Sequence, residues 1–100
     1  MQPGEVAEVL GPALVLEDVQ DAVSEVNRLV TVQLKQTQFD ALVSFEFNTE
    51  KLAGSTMLRM LNAEEYTMAA GEFTRFVYAS GVRMAGLVSR REREKALFLS

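Results

Sequence analysis

One hundred residues with 48% hydrophobic content suit one domain around one core and leave no room for a second. The chain has no Cys and no His, which excludes disulfides, thiolate and imidazole metal sites, cysteine nucleophiles and Ser-His triads, and leaves carboxylate chemistry or none. The net charge of −4 is unevenly divided: nine acids against Arg28 and Lys35 give −7 over residues 1–50, and five acids against eight bases give +3 over 51–100.

In chain order the pattern is helical almost throughout. Pro3-Gly4 and Gly11-Pro12 punctuate a lead segment, 1–12. From 13 to 30, Leu16, Val19, Val23, Val26 and Val30 recur at steps of three and four, with Asp18, Asp21 and Glu25 off the stripe, which predicts a long amphipathic helix. Residues 31–36 form an aperiodic connector. Thr37 is the expected N-cap of the next helix, with Asp40 in the capping-box position and an end near Asn48. Gly54-Ser55-Thr56 closes a loop and caps a short helix over 57–61. Asn62 is expected to close that helix and cap a fourth over 63–70, with Glu65 at its third position and Gly71 as its stop. A fifth helix is expected over 72–79, halted by Ser80-Gly81, and a last one from Ala85-Gly86 to Phe98. No segment alternates with period two. The expected fold is an all-α orthogonal bundle of about six helices, the long one and the shorter ones over 37–98.

Two charge groupings invite a functional reading. Arg90, Arg91, Arg93 and Lys95, with Arg83 upstream, are a candidate basic patch, but Glu92 and Glu94 interleave with them, so a solvated helix with Arg90–Glu94 and Glu92–Lys95 pairs is the favoured reading and nucleic-acid binding is disfavoured. Asp21/Glu25 and Glu46/Glu50 are i,i+4 neighbours, roughly 6 Å apart at Cβ. Glycoside hydrolysis uses two carboxyl groups about 5–9.5 Å apart, but a convex helix face does not surround a sugar, so Asp21 and Glu25 are expected to be solvated.

The residues Gln38-Phe39-Asp40-Ala41-Leu42-Val43-Ser44-Phe45-x-Phe47-Asn48 resemble the QFDALVSFxFN segment of phage-type lysozymes, the glycoside hydrolase 24 endolysins. Ser55-Thr56-Met57-Leu58-Arg59-Met60-Leu61-Asn62-Ala63 is similar to that family's STLLRxLNAG, Glu72-Phe73-Thr74-Arg75-Phe76-Val77 to EFxRWV, and the stretch from Gly86 through Arg90-Arg91 and Glu94 to Leu97-Phe98 to GLxxRRxxExxLF. Val26-Asn27-Arg28-Leu29-Val30 resembles the end of the helix that joins the two lobes of such enzymes. The resemblance implies the helical C-terminal lobe plus the linking helix. It also implies that the catalytic Glu, the Gly-Tyr-Gly-His hairpin and the Asp and Thr that position the attacking water have no counterpart here, so no catalytic residue is assigned. The family cleft lies between the lobes, and its wall on this side, or an interface left uncovered, implicates Phe39, Glu46, Phe47, Asn48, Phe73, Arg75 and Phe76.

The departures carry information too. Glu46 stands where the family has a small apolar residue; it is a desolvated acid with a raised pKa, or an exposed one that has lost its cover, or one partner of an ion pair with a late Arg, and the cost of a buried lone carboxylate favours the last two. Phe76 replaces the family's Trp, Thr49-Glu50 replaces an expected Gly, and Ala85-Gly86 replaces Pro-Gly.

The leading expectation is a catalytically inactive, lysozyme-like phage or prophage protein that acts by binding a partner, either a second copy or a bacterial host factor, through surface exposed near residues 39–47 and 73–76. One lobe of a split endolysin, with its catalytic Glu on another chain, is the alternative, and a non-hydrolytic peptidoglycan-binding module a third. No cofactor and no metal are expected. The host cytoplasm is the expected location, since 1–8 lacks a basic n-region and no eighteen-residue apolar run is present.

Overall fold

The computed structural model describes residues 16–100. The lead segment and the expected helix start at 13–15 lie outside the described residues. Five α-helices follow in order, α1 (Leu16–Leu29), α2 (Gln36–Thr49), α3 (Thr56–Asn62), α4 (Tyr66–Glu72) and α5 (Ala85–Leu99). Between α4 and α5 lie a 3-10 turn (Phe73–Arg75) and an antiparallel hairpin, β1 (Tyr78–Ala79) and β2 (Val82–Arg83). The bundle is therefore mostly helical, with five helices against the six or so expected. Among the described residues no helix is long and apolar enough to cross a membrane.

The centre of the bundle is α2. Its residues 40–46 are all buried, and Ala41, Leu42, Val43 and Phe45 have no exposed area at all. A helix apolar on every side needs neighbours on every side. The Val19, Ala22 and Val26 stripe of α1 covers one face, and Phe98 of α5 belongs to the same core together with Leu52, Met57, Leu61, Ala69 and Phe73. Phe45 is the aromatic hub, meeting Phe73 edge-on at 5.5 Å and Phe76 edge-on at 4.8 Å, while Phe73 meets Phe98 at 5.6 Å.

Several local boundaries differ from expectation. α2 starts two residues earlier than the Thr37 cap implies: Lys35 is the N-cap residue, and its N–H donates to Gln38 Oε1 at 2.8 Å. Asp40 instead accepts from Gln36 Nε2 at 2.7 Å, an i,i+4 bond that draws Gln36 into the helix. Asn62 does not cap α4. The turn after α3 closes through Glu64 at φ 63°, with Glu64 N–H donating to Leu61 O at 2.9 Å and Glu65 N–H to Met60 O at 2.8 Å. These are the paired bonds of a Schellman closure. They carry the chain two residues further, so Glu65 becomes the N-cap of α4. Asn62 is freed to accept from Thr31 N–H at 2.9 Å and donate to Leu29 O at 3.1 Å, tying the end of α1 to α3. Ser55 caps α3 as expected, accepting from Leu58 N–H at 3.0 Å.

Gly71 does not stop α4, which runs on to Glu72; a glycine inside a helix costs only about 1 kcal/mol relative to Ala. The expected fifth helix over 72–79 is absent. Once Phe73 has been turned into the core, Ser80 and Gly81 adopt φ 51° and 79°, the two left-handed residues of a two-residue hairpin turn. Tyr78 pairs with Arg83 and Ala79 with Val82, and Met84 N–H to Val77 O at 2.9 Å adds a further rung.

The basic stretch of α5 is not the expected solvated ladder. Arg91 is 1% exposed and Glu94 has no exposed area. Arg91 Nε lies 2.7 Å from Glu94 Oε1, Arg91 Nη2 donates to Glu94 Oε2 at 3.1 Å, and Ser44 Oγ of α2 donates to the same oxygen at 2.5 Å. The Arg91 guanidinium also lies 5.5 Å from the centre of the Phe45 ring. Burial pushes the Glu94 carboxyl up, against the Ser44 hydroxyl and the Arg91 charge, which favour its ionised form.

Two stability predictions follow from these contacts. Glu94→Ala strands a buried guanidinium and lowers the unfolding free energy by about 3–5 kcal/mol in urea titration. The double change Arg91→Met with Glu94→Leu recovers most of that loss, because the unpaired charge goes with it. Glu64→Gly relieves a left-handed Glu at the end of α3 and raises stability by about 0.5–1 kcal/mol, read as a melting temperature a few degrees higher; an unchanged or lower midpoint contradicts it.

Candidate functional site

α2 leaves the core at Asn48, and there a groove of about 310 Å³ opens between its C-terminus, the hairpin and the start of α5. Asn48, Thr49 and Lys51 line one side, Phe76, Tyr78 and Ala79 the opposite side, and Leu87 and Arg91 the end from α5. Asn48 is held at both ends of its amide: Nδ2 donates to Ser44 O at 2.7 Å, and Oδ1 accepts from Arg90 Nη1 at 2.6 Å. The amide thus presents a fixed donor and acceptor at the groove. The ring of Phe76, half-buried, is braced edge-on by Phe45 and supplies an apolar wall; Tyr78, 61% exposed, adds a phenol. This combination of a fixed amide with aromatic faces suits a sugar, which offers hydroxyls around its rim and C–H groups on its faces.

The expected site residues divide among several places. Asn48, Phe76 and Arg91 meet at the groove, and Arg90 reaches it through Asn48. Phe73 has no exposed area and belongs to the core, so it cannot line a surface. Arg75 is exposed and paired with Glu72 at 3.0 Å. Arg83 is exposed on β2. Within the expected basic patch, Arg91 is buried, Arg90 holds an amide and Arg83 lies on the hairpin, so these three do not form one face. Phe39 is half-buried beside a shallow pocket with Val26, Val30 and Leu34. The expected uncovered surface at 39–47 and 73–76 is mostly interior, and the large exposed apolar side chains are Met68, Tyr78, Val82, Met84 and Leu99. Tyr78 and Ala79 are groove residues that the sequence does not announce, because nothing marks a two-residue strand, and Leu87 joins them where α5 starts beyond the hairpin. Lys51 could have been found as the cation that follows the replaced glycine.

Glu46 and Phe47 face the other way, into a pocket of about 280 Å³ with Asp21, Glu25 and Glu50. Both i,i+4 acidic pairs therefore meet across α1 and α2, and Asp21 and Glu25 are on its rim. Contrary to the favoured expectation, Glu46 is neither exposed nor in an ion pair: it is 6% exposed, and its Oε1 accepts from Leu52 N–H at 3.1 Å. Arg28, whose charge acts on Glu46, is engaged with Glu25 at 2.8 and 2.9 Å. Burial pushes the Glu46 carboxyl up, Glu25 and Glu50 add to the shift, and the Leu52 N–H and Arg28 oppose it. Among the described residues no group of three or more His, Cys, Asp or Glu is arranged to hold a metal.

A carboxyl whose pKa is raised by folding contributes stability that is present below the ordinary carboxylate range and is lost as pH rises through the folded value. Glu46→Gln keeps an acceptor for Leu52 N–H and removes the charge. Its denaturation midpoint is expected to exceed that of the parent at pH 7 and to match it near about pH 3, where an ordinary glutamate is protonated; equal midpoints at both pH values would contradict this account.

Comparison with known proteins gives a family to this arrangement. Residues 3–94 match the phage lysozyme family. The chain is 42% identical over 97 residues to an endolysin of Bacillus phage B103, covering 95% of this chain and 37% of that protein. It is 46% identical over 89 residues to the endolysin of Salmonella phage P22, covering 87% of this chain and 60% of that one. Among solved structures, the muramidase domain of SpmX from Asticaccaulis excentricus aligns with a TM-score of 0.80 and 40% identity over 88% of this chain and 64% of that one. The chain thus spans 37% and 60% of the length of the two endolysins. Its four collinear motifs, its helical bundle and these likenesses agree, and the chain belongs to the phage lysozyme family.

Proposed function

We propose that this chain is the glycan-holding helical lobe of a muramidase, binding a peptidoglycan strand along the groove between α2, the hairpin and α5. The observation that carries the reading is the Asn48 amide, locked between Ser44 O and Arg90 Nη1 and facing the aromatic wall of Phe76 and Tyr78. Relatives named as endolysins and as a muramidase domain support peptidoglycan as the ligand.

No carboxylate lines the groove among the described residues. Glycosidic cleavage requires an acid to protonate the leaving oxygen and a second carboxylate or a positioned water at the anomeric carbon. The lobe therefore binds and orients, and the proton donor comes from residues outside it, on a preceding segment or on another polypeptide. The Glu46 pocket does not supply it, since Glu46 opens on the opposite side of α2 from Asn48 and Phe76.

The 100-residue protein is expected to sediment with purified sacculi and to release no reducing sugar from them. Phe76→Ala and Asn48→Ala are each expected to weaken retention about tenfold, the order of one to two kcal/mol for an aromatic face or a fixed amide. Lysis by the isolated protein, or full retention in both variants, overturns this reading.

A further inference from the structure

We propose that Lys51 makes the groove selective for carboxylate-bearing saccharides over neutral ones, an inference that rests on the glycan-binding reading above. Lys51 and Arg91 are the charged side chains that line the groove, and both are cations. The Arg91 charge is taken up by Glu94 beneath the floor. Lys51 is exposed, and among the described residues its ammonium enters no ion pair. A ligand carboxylate is therefore the partner that the groove lacks.

The turn that carries Lys51 is built to aim it. Glu50 closes α2 at φ 53°, and its N–H donates to Glu46 O at 2.9 Å. That left-handed residue sends Glu50 to the acidic pocket and the next residue, Lys51, to the groove. Two bonds then hold the turn: Lys51 N–H donates to Thr49 Oγ1 at 3.1 Å, and Leu52 N–H donates to Glu46 Oε1 at 3.1 Å. Thr49 Oγ1 is itself fixed by donating to Phe45 O at 2.8 Å, and Leu52 is fully buried. The backbone on both sides of Lys51 is anchored, so the residue is held at the edge of the groove. Arg90, fixed on Asn48, adds a second positive charge at the same end.

The test is a calorimetric or NMR titration of the 100-residue protein with two tetrasaccharides of equal length, one of alternating N-acetylglucosamine and N-acetylmuramic acid and one of N-acetylglucosamine alone. The parent is expected to bind the anionic sugar about fivefold more tightly, the upper range for an exposed ion pair. Lys51→Gln is expected to abolish that preference, Lys95→Gln on the far part of α5 to keep it, and about 0.5 M salt to shrink it. Equal affinity of the parent for both sugars, or a preference that survives Lys51→Gln, overturns the role of Lys51 and leaves the glycan-binding reading standing. Failure to bind either sugar at millimolar concentration overturns both.

Discussion

The structure depends on one constraint: α2 is buried on every side and yet carries polar residues within its buried stretch. Each buried polar side chain needs a partner, and each partner fixes a different part of the molecule. Ser44 donates to Glu94 and so sets α5 against α2 at a depth where Arg91 must also be buried. Glu46 accepts the Leu52 N–H and so fixes the chain's return after α2. Asp40 accepts from Gln36 and shapes the first turn. Apolar packing alone would allow α5 to slide along α2; the Ser44–Glu94–Arg91 bonds specify one register, at the cost of desolvating two charges.

The groove is a by-product of that register. Placing Arg91 over the Phe45 ring brings Arg90, one residue earlier, to the Asn48 amide as α2 emerges from the core. Phe45 also braces Phe76 from below. One aromatic ring thus supports the cation beneath the groove and the apolar wall beside it. The surface of the groove is continuous with the core, so its rigidity comes from packing rather than from the loops around it.

Sequence patterns revealed the elements whose burial is one-sided or whose caps are local. The valine stripe of α1, Ser55 at the start of α3 and the Ala85 start of α5 are such cases. The hairpin was not legible, because two strands of two residues show no alternation, and Ser80-Gly81 reads equally as a helix stop and as a tight turn. Arg91 and Glu94 misled for another reason: an i,i+3 pair on a charged helix has the pattern of a solvated face, and only the arrival of Ser44 from 50 residues away shows that it is interior. Glu46 was judged by the cost of a buried carboxylate, without a partner visible in the helix itself; its partner is a backbone N–H six residues on, which no pattern of side chains announces. At the groove, Asn48 and Phe76 were legible through their motifs, whereas Lys51 and Tyr78 enter it only through the geometry of a turn and a hairpin.

The left-handed turn at Glu50 separates two environments of opposite sign. Four carboxylates gather on one side of it and the cations of the groove on the other, so side chains of opposite charge part at consecutive residues, Glu50 and Lys51. At physiological ionic strength charges are screened over about 8 Å, so each group acts mainly on what lies close to its own side of the turn. The two sides of α2 thus differ in the charge that they show to any neighbour, acidic beside Glu46 and basic beside Asn48. The end of α2 is thereby a divider between an acidic face and a basic one.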